Sequence, residues 1–378
     1  MLDRAARAAW RGLGDVEPNP TVGCVIGTDE GAALGIGHHR GFGGAHAEVE
    51  ALNRCRAMGA NTAGATAWVT LEPCAHQGKT PPCAVALIDA KIATVVIAQE
   101  EPAAVARGGA ETLQRAGVEV RFTDASVAAA LLNQPYVKRI TTGLPWVTAK
   151  WAQTIDARIA TSTGESQWIS NERSRAEVHR LRARVDFIMT GVGTVRTDDP
   201  SLTARGVARR RRTPGRVIID PRLRTPPGSK LVATAGEVPT LIACEPIRSA
   251  TAAERAKTLE DAGVTLIQTP LSGARLDLRH LLRTLAAEHN AANVMVESGP
   301  GLMGSLCREG LIDEYWVFSA PMLLGDPEAI PAVRSGPAPR LADAQRLALV
   351  RLRRFGDDAL LIYRRPLGSR SPGVSSPS

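Results

Sequence analysis

Three side chains that commonly ligate metals, His46, Cys74 and Cys83, occur in the N-terminal part of the sequence. One imidazole and two thiolates are typical of a catalytic rather than a structural zinc site, because three protein ligands leave the fourth position to water. Zinc lowers the pKa of a bound water to about 7, so a hydroxide nucleophile exists at neutral pH. The sequence therefore predicts a zinc site formed by these three residues.

A carboxylate, Glu48, lies two residues after His46. If it is not a ligand, it is free to take a proton from the water and deliver it to a ring nitrogen and a departing amine. His-x-Glu followed by Pro-Cys-x-x-Cys is the pattern of zinc-dependent nucleobase deaminases. Here eight residues, not two, separate Cys74 from Cys83. The competing interpretation is a surface histidine and two cysteines that only fill space in a core.

The elements that would hold these side chains alternate between helical and extended patterns, as in an α/β layered domain. We predict helices over 2–11, 45–59 and 126–142, and strands over 21–26, 32–38, 66–71, 93–98 and 118–122. The second of these helices would carry the His46 motif. Cys83 would begin a further helix, whose N-terminus favours a thiolate. We place a domain boundary near Gly143, which follows the last helix.

A second alternation follows this boundary and predicts a second sheet, parallel or mixed. Strands are predicted over 146–151, 186–190, 216–220, 240–243, 264–268, 293–297, 313–320, 348–353 and 360–364, and helices over 171–184, 277–289 and 301–309. Ser170 is placed to cap the first of these helices. Residues 367–378 are mostly Gly, Ser, Pro and Arg, which predicts a disordered tail.

A glycine-rich segment follows the predicted strand over 293–297 and opens a helix. It reads Gly299-Pro300-Gly301-Leu302-Met303-Gly304-Ser305. Backbone N–H groups and the positive end of a helix dipole would lie where a pyrophosphate binds well. The spacing is not the Gly-x-Gly-x-x-Gly of Rossmann domains, so an ordinary loop is the alternative.

The composition is that of a globular protein large enough for two domains. The chain has 378 residues, of which 44% are hydrophobic and 22% charged. No apolar run is long enough for a membrane span, and the N-terminus lacks a signal-peptide pattern, so we expect a cytoplasmic protein. Six dispersed cysteines favour metal binding or catalysis over disulfides. The net charge of +8 includes an arginine run at 209–212, which we interpret as a solvated loop.

Longer strings of sequence extend these motifs in both parts of the chain. They cover 18–23, 39–48, 70–74 and 80–83 in the first part, and 150–159, 164–169, 181–183, 190–200, 202–205, 296–301 and 321–325 in the second. Together they resemble the bifunctional deaminase-reductase family of riboflavin biosynthesis, in which a long insert also separates the two cysteines. The resemblance covers nearly all of residues 1–365.

This resemblance implies a cytidine-deaminase-like domain over residues 1–143 and a dihydrofolate-reductase-like domain over residues 144–366. It implies zinc-dependent hydrolytic deamination of 2,5-diamino-6-(5-phosphoribosylamino)pyrimidin-4-one, followed by NADPH-dependent reduction of the ribosyl group to ribityl. It further implies that the protein forms a homo-oligomer and acts on a phosphorylated pyrimidine. Binding to nucleic acid or to a membrane is not expected.

Site residues follow partly from chemistry and partly from the resemblance. Asn19 between two prolines suits a pyrimidine edge, and His76 and Lys79 suit a phosphate or carbonyl, although a lone loop asparagine is also a common turn former. The resemblance implies that NADPH contacts Ala152, Trp168, Thr194, Asp198 and residues 299–305, with Thr194 in a turn, and that Ser166, Arg182, Leu202, Arg205 and Glu297 hold substrate. Lys150 and Asp198 are candidates for supplying a proton to the opened ring oxygen.

Arginine guanidinium groups bind phosphate oxygens bidentately, so Arg182 and Arg205 suit the ribose phosphate of the substrate. The alternative for Arg182 is a position on a solvated helix face. Four positions depart from the family pattern. Ala157 stands where glycine is usual, Thr154 and Ala75 replace serines, and residues 101–104 lack a second proline.

Three other functions are compatible with parts of this pattern. A deaminase acting on tRNA adenosine shares the His-x-Glu motif but not the long cysteine spacing or the second domain. A non-catalytic zinc-stabilised binding protein would need a fourth ligand, and the sequence shows no convincing one. A deaminase-reductase with one degenerate domain is the third.

Overall fold

The computed structural model describes residues 1–76, 81–207, 213–336 and 338–366. Lys79, the arginine run at 209–212 and the predicted tail lie outside these residues. The chain forms two compact units, Met1–Leu144 and Pro145–Ser378. No helix of the described residues is both long and apolar enough to cross a membrane.

The first unit is a sheet with helices packed against it. Its helices are α1 (Leu2–Ala9), α2 (Ala47–Ala57), α3 (Cys83–Asp89), α4 (Gly109–Arg115), α5 (Val127–Leu132) and α6 (Gln134–Thr142). Its strands are β1 (Gly23–Gly27), β2 (Ala33–His38), β3 (Thr66–Val69), β4 (Thr94–Ile97) and β5 (Glu119–Phe122), in the order β2-β1-β3-β4-β5. β1 is antiparallel to β2 and β3, whereas β3, β4 and β5 are parallel.

Helix α2 lies close to the sheet because small residues face it. A side chain at Gly37 in β2 would collide with the backbone of Ala47, so glycine permits this approach. Leu52 and Cys55, on the inward face of α2, are buried with Ile26 of β1 in one apolar cluster. Because this packing fixes the first turn of α2, it also fixes the residues of the predicted metal site.

The second unit is a larger mixed sheet. Its strands are β6 (Trp146–Gln153), β7 (Arg158–Ala160), β8 (Phe187–Gly191), β9 (Gly215–Ile219), β10 (Thr240–Cys244), β11 (Thr265–Gln268), β12 (Leu271–Ser272), β13 (Arg275–Leu276), β14 (Asn293–Val296), β15 (Glu314–Ser319), β16 (Ile330–Pro331), β17 (Ala348–Phe355) and β18 (Asp358–Arg364). Its helices are α7 (Glu172–Arg182), α8 (Val192–Asp198), α9 (Lys230–Ala233), α10 (Ala250–Asp261), α11 (Leu278–Glu288) and α12 (Pro300–Arg308), with a short 3-10 helix at Leu341–Asp343.

The main sheet of this unit has nine strands in the order β11-β10-β9-β8-β14-β6-β15-β18-β17. The strands from β11 to β15 are parallel, and β18 and β17 are antiparallel additions at one edge. Ile188, Met189 and Val294 have no exposed surface, as expected of parallel strands covered on both faces. From β8 to β11 each new strand is added towards one edge of the sheet. The chain then returns, so that β14 lies between β8 and β6 and β15 lies on the other side of β6.

Some of the helices differ from the predictions. The helix predicted over 126–142 is two helices that break at Asn133, because Pro135 lacks an N–H and the Asn133 amide donates to the carbonyl of Thr70. The cap of α7 is Asn171, not Ser170, since the Asn171 side chain accepts from the Ser174 N–H. Helix α10, which Ser249 caps, was not predicted.

Candidate functional site: a metal-ligand cluster and a second, larger cleft

The three predicted metal ligands come from three separate elements of the first unit. His46 is the N-terminal cap of α2, and Cys83 is the first residue of α3. Cys74 lies beyond the end of β3, and the N–H of Cys83 lies 3.4 Å from its sulfur. Parallel strands and the helices that follow them bring these chain ends to one edge of the sheet, which is why residues distant in sequence converge here.

Their ligand atoms are spaced as one metal ion requires. Nδ1 of His46 lies 3.2 Å from Sγ of Cys83 and 3.6 Å from Sγ of Cys74, and all three atoms lie within 4.8 Å of one another. Ligands of a tetrahedral zinc ion lie roughly 3.5 to 3.8 Å apart, given Zn–N of about 2.0 Å and Zn–S of about 2.3 Å. The structure brings the three predicted residues together, and their spacing and chemistry fit zinc.

The thiols of Cys74 and Cys83 differ in pKa. The hydrogen bond from Cys83, with His46 beside it, lowers the pKa of the Cys74 thiol well below its usual value. The same hydrogen bond, together with burial, raises the pKa of Cys83 far above its usual value. A thiolate therefore exists in the cluster at neutral pH, and the thiolate is the form of cysteine that binds a metal cation.

Glu48 lies beside this cluster and is almost completely buried, with 3% of its surface exposed. Burial raises the pKa of its carboxyl to about 7, because the charged form loses its hydration. The side chain lines a cavity of about 290 Å³ together with His46 and Cys74. A carboxyl with a pKa near neutrality can both accept and return a proton, as predicted for its role.

The predicted pyrimidine contact, Asn19, also lines this cavity, and so does His76. The amide of Asn19 donates to Nε2 of His39 at 3.5 Å, while Nδ1 of His39 donates to the carbonyl of Ala45 at 2.9 Å. This arrangement directs the Asn19 carbonyl oxygen away from His39. Among the described residues, Nδ1 of His76 is buried without a hydrogen-bond partner.

Three polar residues of the cavity wall were missed at the level of sequence: Glu72, Glu101 and Tyr136. Glu72 accepts hydrogen bonds from the N–H groups of Glu101, Gly108 and Ala110, so it ties the cavity wall to the start of α4. The hydroxyl of Tyr136 donates to Glu101 at 2.8 Å. The position of Glu72 directly before Pro73-Cys74 was the only local indication of a role.

A second and larger cleft, of about 1390 Å³, lies in the second unit at the carboxyl ends of its parallel strands. This is the edge at which open parallel sheets bind ligands. Most of the residues that the resemblance implied line it. They are Lys150, Ala152, Ser166, Trp168, Arg182, Thr194, Asp198, Leu202, Arg205, Glu297, Gly299, Pro300, Gly301, Leu302 and Ser305.

Met303 and Gly304 do not line this cleft. Met303 has no exposed surface, and a side chain at Gly304 would meet the carbonyl of Arg334. Both residues lie within α12, where the helical period turns them towards the protein interior. Thr194 lies within helix α8 rather than in a turn.

Glu297 and two basic residues form an ion cluster in the cleft. Arg182 donates to Glu297 through Nε at 2.6 Å and Nη2 at 3.0 Å, and Nζ of Lys150 donates to it at 3.2 Å. Burial alone would raise the pKa of the Glu297 carboxyl, but the two cations lower it to about 2. Glu297 is therefore an anion at every physiological pH.

Family models match both units. The family described as the RibD C-terminal domain matches residues 145–361, and the cytidine and deoxycytidylate deaminase zinc-binding region matches residues 1–99. The expectation of a cytidine-deaminase-like domain followed by a reductase domain is confirmed.

Relatives match along nearly the whole chain. The riboflavin biosynthesis protein RibD of Aquifex aeolicus is 37% identical over 364 residues, 96% of either chain. That of Escherichia coli is 38% identical over 377 residues, 95% of this chain and 97% of the relative. The solved structure of Acinetobacter baumannii RibD is 34% identical, with a TM-score of 0.79 and coverage of 97% of this chain and 98% of that one. The chain belongs to the RibD family of bifunctional riboflavin biosynthesis proteins, which join a zinc-binding deaminase domain to a reductase domain.

Proposed function

We propose that the first unit deaminates 2,5-diamino-6-(5-phosphoribosylamino)pyrimidin-4-one and that the second reduces the ribosyl group of the product to ribityl with NADPH. The observation that carries the proposal is Glu48, a buried carboxyl beside the His46, Cys74 and Cys83 cluster, which lines a cavity of about 290 Å³. In support, a solved Thermotoga maritima structure titled diaminohydroxyphosphoribosylaminopyrimidine deaminase/5-amino-6-(5-phosphoribosylamino)uracil reductase is 29% identical, with a TM-score of 0.79.

In the deaminase, His46, Cys74 and Cys83 would hold zinc, which supplies Lewis acidity that activates water at neutral pH. Glu48 would carry a proton from the attacking water to the pyrimidine ring nitrogen and then to the departing amine, leaving a carbonyl and ammonia. The Asn19 carbonyl oxygen would accept from an N–H of the pyrimidine edge, because His39 already engages its amide group. His76 would bind the phosphate or a carbonyl of the substrate, and Lys79, which lies outside the described residues, stays a candidate for the same role from the sequence.

In the reductase, the N-terminus of α12 and the residues around Ala152, Trp168, Thr194 and Asp198 would hold NADPH, which supplies the hydride. Of the two arginines predicted for the ribose phosphate, only Arg205 is exposed. Arg182 is engaged by Glu297 and by the carbonyl of Thr203, so it would orient Glu297 towards the sugar hydroxyls. Lys150 or Asp198 would supply the proton that the opened ring oxygen takes up. Burial raises the pKa of Asp198, which favours the second of these.

We further propose that the catalytic domains are residues 1–143 and 144–366, and that the enzyme acts in the cytoplasm on a phosphorylated pyrimidine rather than on nucleic acid. A homo-oligomer is supported by strand β17 at the edge of the main sheet, where Leu349 and Leu352 are 52% and 62% exposed.

The two activities are tested by separate assays on the full chain. Ammonia release from the diaminopyrimidine nucleotide measures the first, and NADPH oxidation with the deaminated nucleotide measures the second. We expect both. Activity on tRNA without activity on the nucleotide would contradict the proposal. Activity in only one of the two assays would identify a degenerate domain.

A further inference from the structure

A turn at residues 41–44 lies at the mouth of the cavity beside the metal-ligand cluster. Among the described residues that line this cavity, only Phe42, Gly43 and Gly44 are exposed. The Phe42 side chain is 61% exposed, although phenylalanine is one of the residue types most often buried in proteins. An apolar ring that stands in water at the opening of a cavity is positioned to contact a ligand that enters it.

The backbone holds Phe42 at this position. The N–H of Gly44 donates to the carbonyl of Gly41 at 3.0 Å, and Gly43 has a φ of +79°, as at the third position of a type II turn. Glycine adopts this φ without strain, and Phe42 occupies the second position. The N–H of Phe42 also donates to the carbonyl of Asp15 at 3.1 Å. These two hydrogen bonds fix the backbone from which the ring projects.

The other walls of the cavity combine apolar and polar groups. Val22 and Leu71 contribute apolar side chains, and Asn19 and Glu48 contribute hydrogen-bonding groups. A pyrimidine has its polar atoms around the edge of the ring, so polar residues bind the edge and leave the two faces of the ring to other side chains. Aromatic side chains suit these faces, because every base has a π-face on which they can stack. Phe42 is thus the exposed aromatic residue that can cover one face of a bound pyrimidine.

We propose that Phe42 stacks on the pyrimidine ring of the deaminase substrate. The inference rests on the proposed deaminase function. Stacking removes both rings from water, and loss of one such contact typically lowers the affinity for a base by about 5- to 100-fold. Because deamination changes the edge of the pyrimidine and leaves the rest of its face in place, the contact is similar in the ground state and the transition state. Phe42 should therefore act on KM rather than on kcat.

The test measures ammonia release by the full chain as a function of the concentration of the diaminopyrimidine nucleotide. Phe42→Leu keeps an apolar side chain but removes the π-face, so it should raise KM by about tenfold and leave kcat within about twofold of the native value. Phe42→Tyr keeps the ring and should retain the native KM. Phe122→Leu is the matched control, because Phe122 is 47% exposed at the end of β5 and does not line the cavity.

Zinc content, thermal unfolding and NADPH oxidation check that both units of each variant are folded, and none of these should change. The stacking proposal is wrong if Phe42→Leu keeps the native KM, if its loss is confined to kcat, or if Phe42→Tyr loses as much as Phe42→Leu. In these cases deamination by the native chain still supports the proposed function. If the native chain with bound zinc releases no ammonia from the nucleotide, the proposed deaminase function fails, and the assignment of Phe42 fails with it.

Discussion

Glu297 and Arg182 form a bidentate ion pair, with both carboxylate oxygens engaged by one guanidinium group at 2.6 and 3.0 Å. Their side chains are only 12% and 13% exposed, so solvent screens the pair weakly. Lys150 adds a second cation to the same carboxylate at 3.2 Å. The pair therefore joins the helix α7, which ends at Arg182, to the residue that directly follows strand β14, and both residues line the cleft of the second unit.

The first prediction concerns the pH dependence of this pair. Since folding lowers the pKa of Glu297 from 4.5 to about 2, its stabilising effect is complete above pH 4.5 and is lost as the pH falls towards 2. Glu297→Gln should lower the free energy of unfolding of the second unit by about 2 kcal/mol at pH 6.5, with a smaller difference at pH 3. Denaturant unfolding at both pH values measures this.

Glu288→Gln is the control for that comparison, because Glu288 is exposed at the end of α11 and has no ion pair among the described residues. It should unfold like the native chain at both pH values. An equal loss of stability in Glu297→Gln at pH 6.5 and pH 3 would contradict the assigned ionisation.

Replacement of Glu48 by Gln should separate zinc binding from catalysis. The amide keeps the size of the side chain but cannot carry a proton, so ammonia release should fall by about 10²- to 10⁴-fold. Zinc content and NADPH oxidation should not change. Glu50→Gln, on the same helix, removes only the partly exposed ion pair with Arg40 and should retain deamination. Unchanged ammonia release in Glu48→Gln would favour a non-catalytic binding protein.

Loss of a metal ligand should affect one activity only. Cys83→Ala removes a buried sulfur 3.2 Å from His46, so we expect zinc content below one half equivalent and no deamination, with reductase activity retained. Removal of zinc by a chelator should have the same selective effect. Cys55→Ala is the matched control, since Cys55 is equally buried but lies outside the ligand cluster. Full zinc occupancy in Cys83→Ala would show that the ligand set is different.

Ala157 offers a test of backbone strain in the reductase unit. It is exposed and has a φ of +59°, a left-handed conformation that costs a residue with a Cβ about 1–2 kcal/mol. Ala157→Gly should therefore stabilise the unit by about 0.5–1 kcal/mol, despite the greater freedom of glycine in the unfolded chain. Ala253→Gly, in the exposed face of α10, should instead be destabilising. A lower melting temperature for Ala157→Gly would rule out this account.

The nearby turn also shows what the departure at position 157 leaves intact. Oδ2 of Asp156 still accepts from the N–H of Gly325 at 2.9 Å, and Thr154 donates to Asp156 at 2.6 Å through the hydroxyl that a serine would also provide. The substitutions at Thr154 and Ala157 therefore preserve the hydrogen bonds of the turn.

Local sequence was sufficient for the metal ligands and for most strands. His46 and Glu48 are two residues apart at the start of a helix, and Cys83 begins another helix after two prolines, so residue type and spacing carried the information. The strands of the second unit were equally clear, because buried parallel strands are continuous apolar runs. The helix break at Asn133 was less predictable, because it also depends on a hydrogen bond to the distant Thr70.

The sequence by itself therefore determined which chemistry to expect: three candidate zinc ligands, a candidate proton carrier beside them, and a second α/β domain with a helix terminus that suits an anion. Only the tertiary structure decided which groups are free to act. It engaged Arg182 with Glu297, turned Met303 inward and brought Tyr136 to Glu101. The reason is physical, because the charge and solvation of a side chain depend on neighbours that strand order brings together from distant parts of the chain.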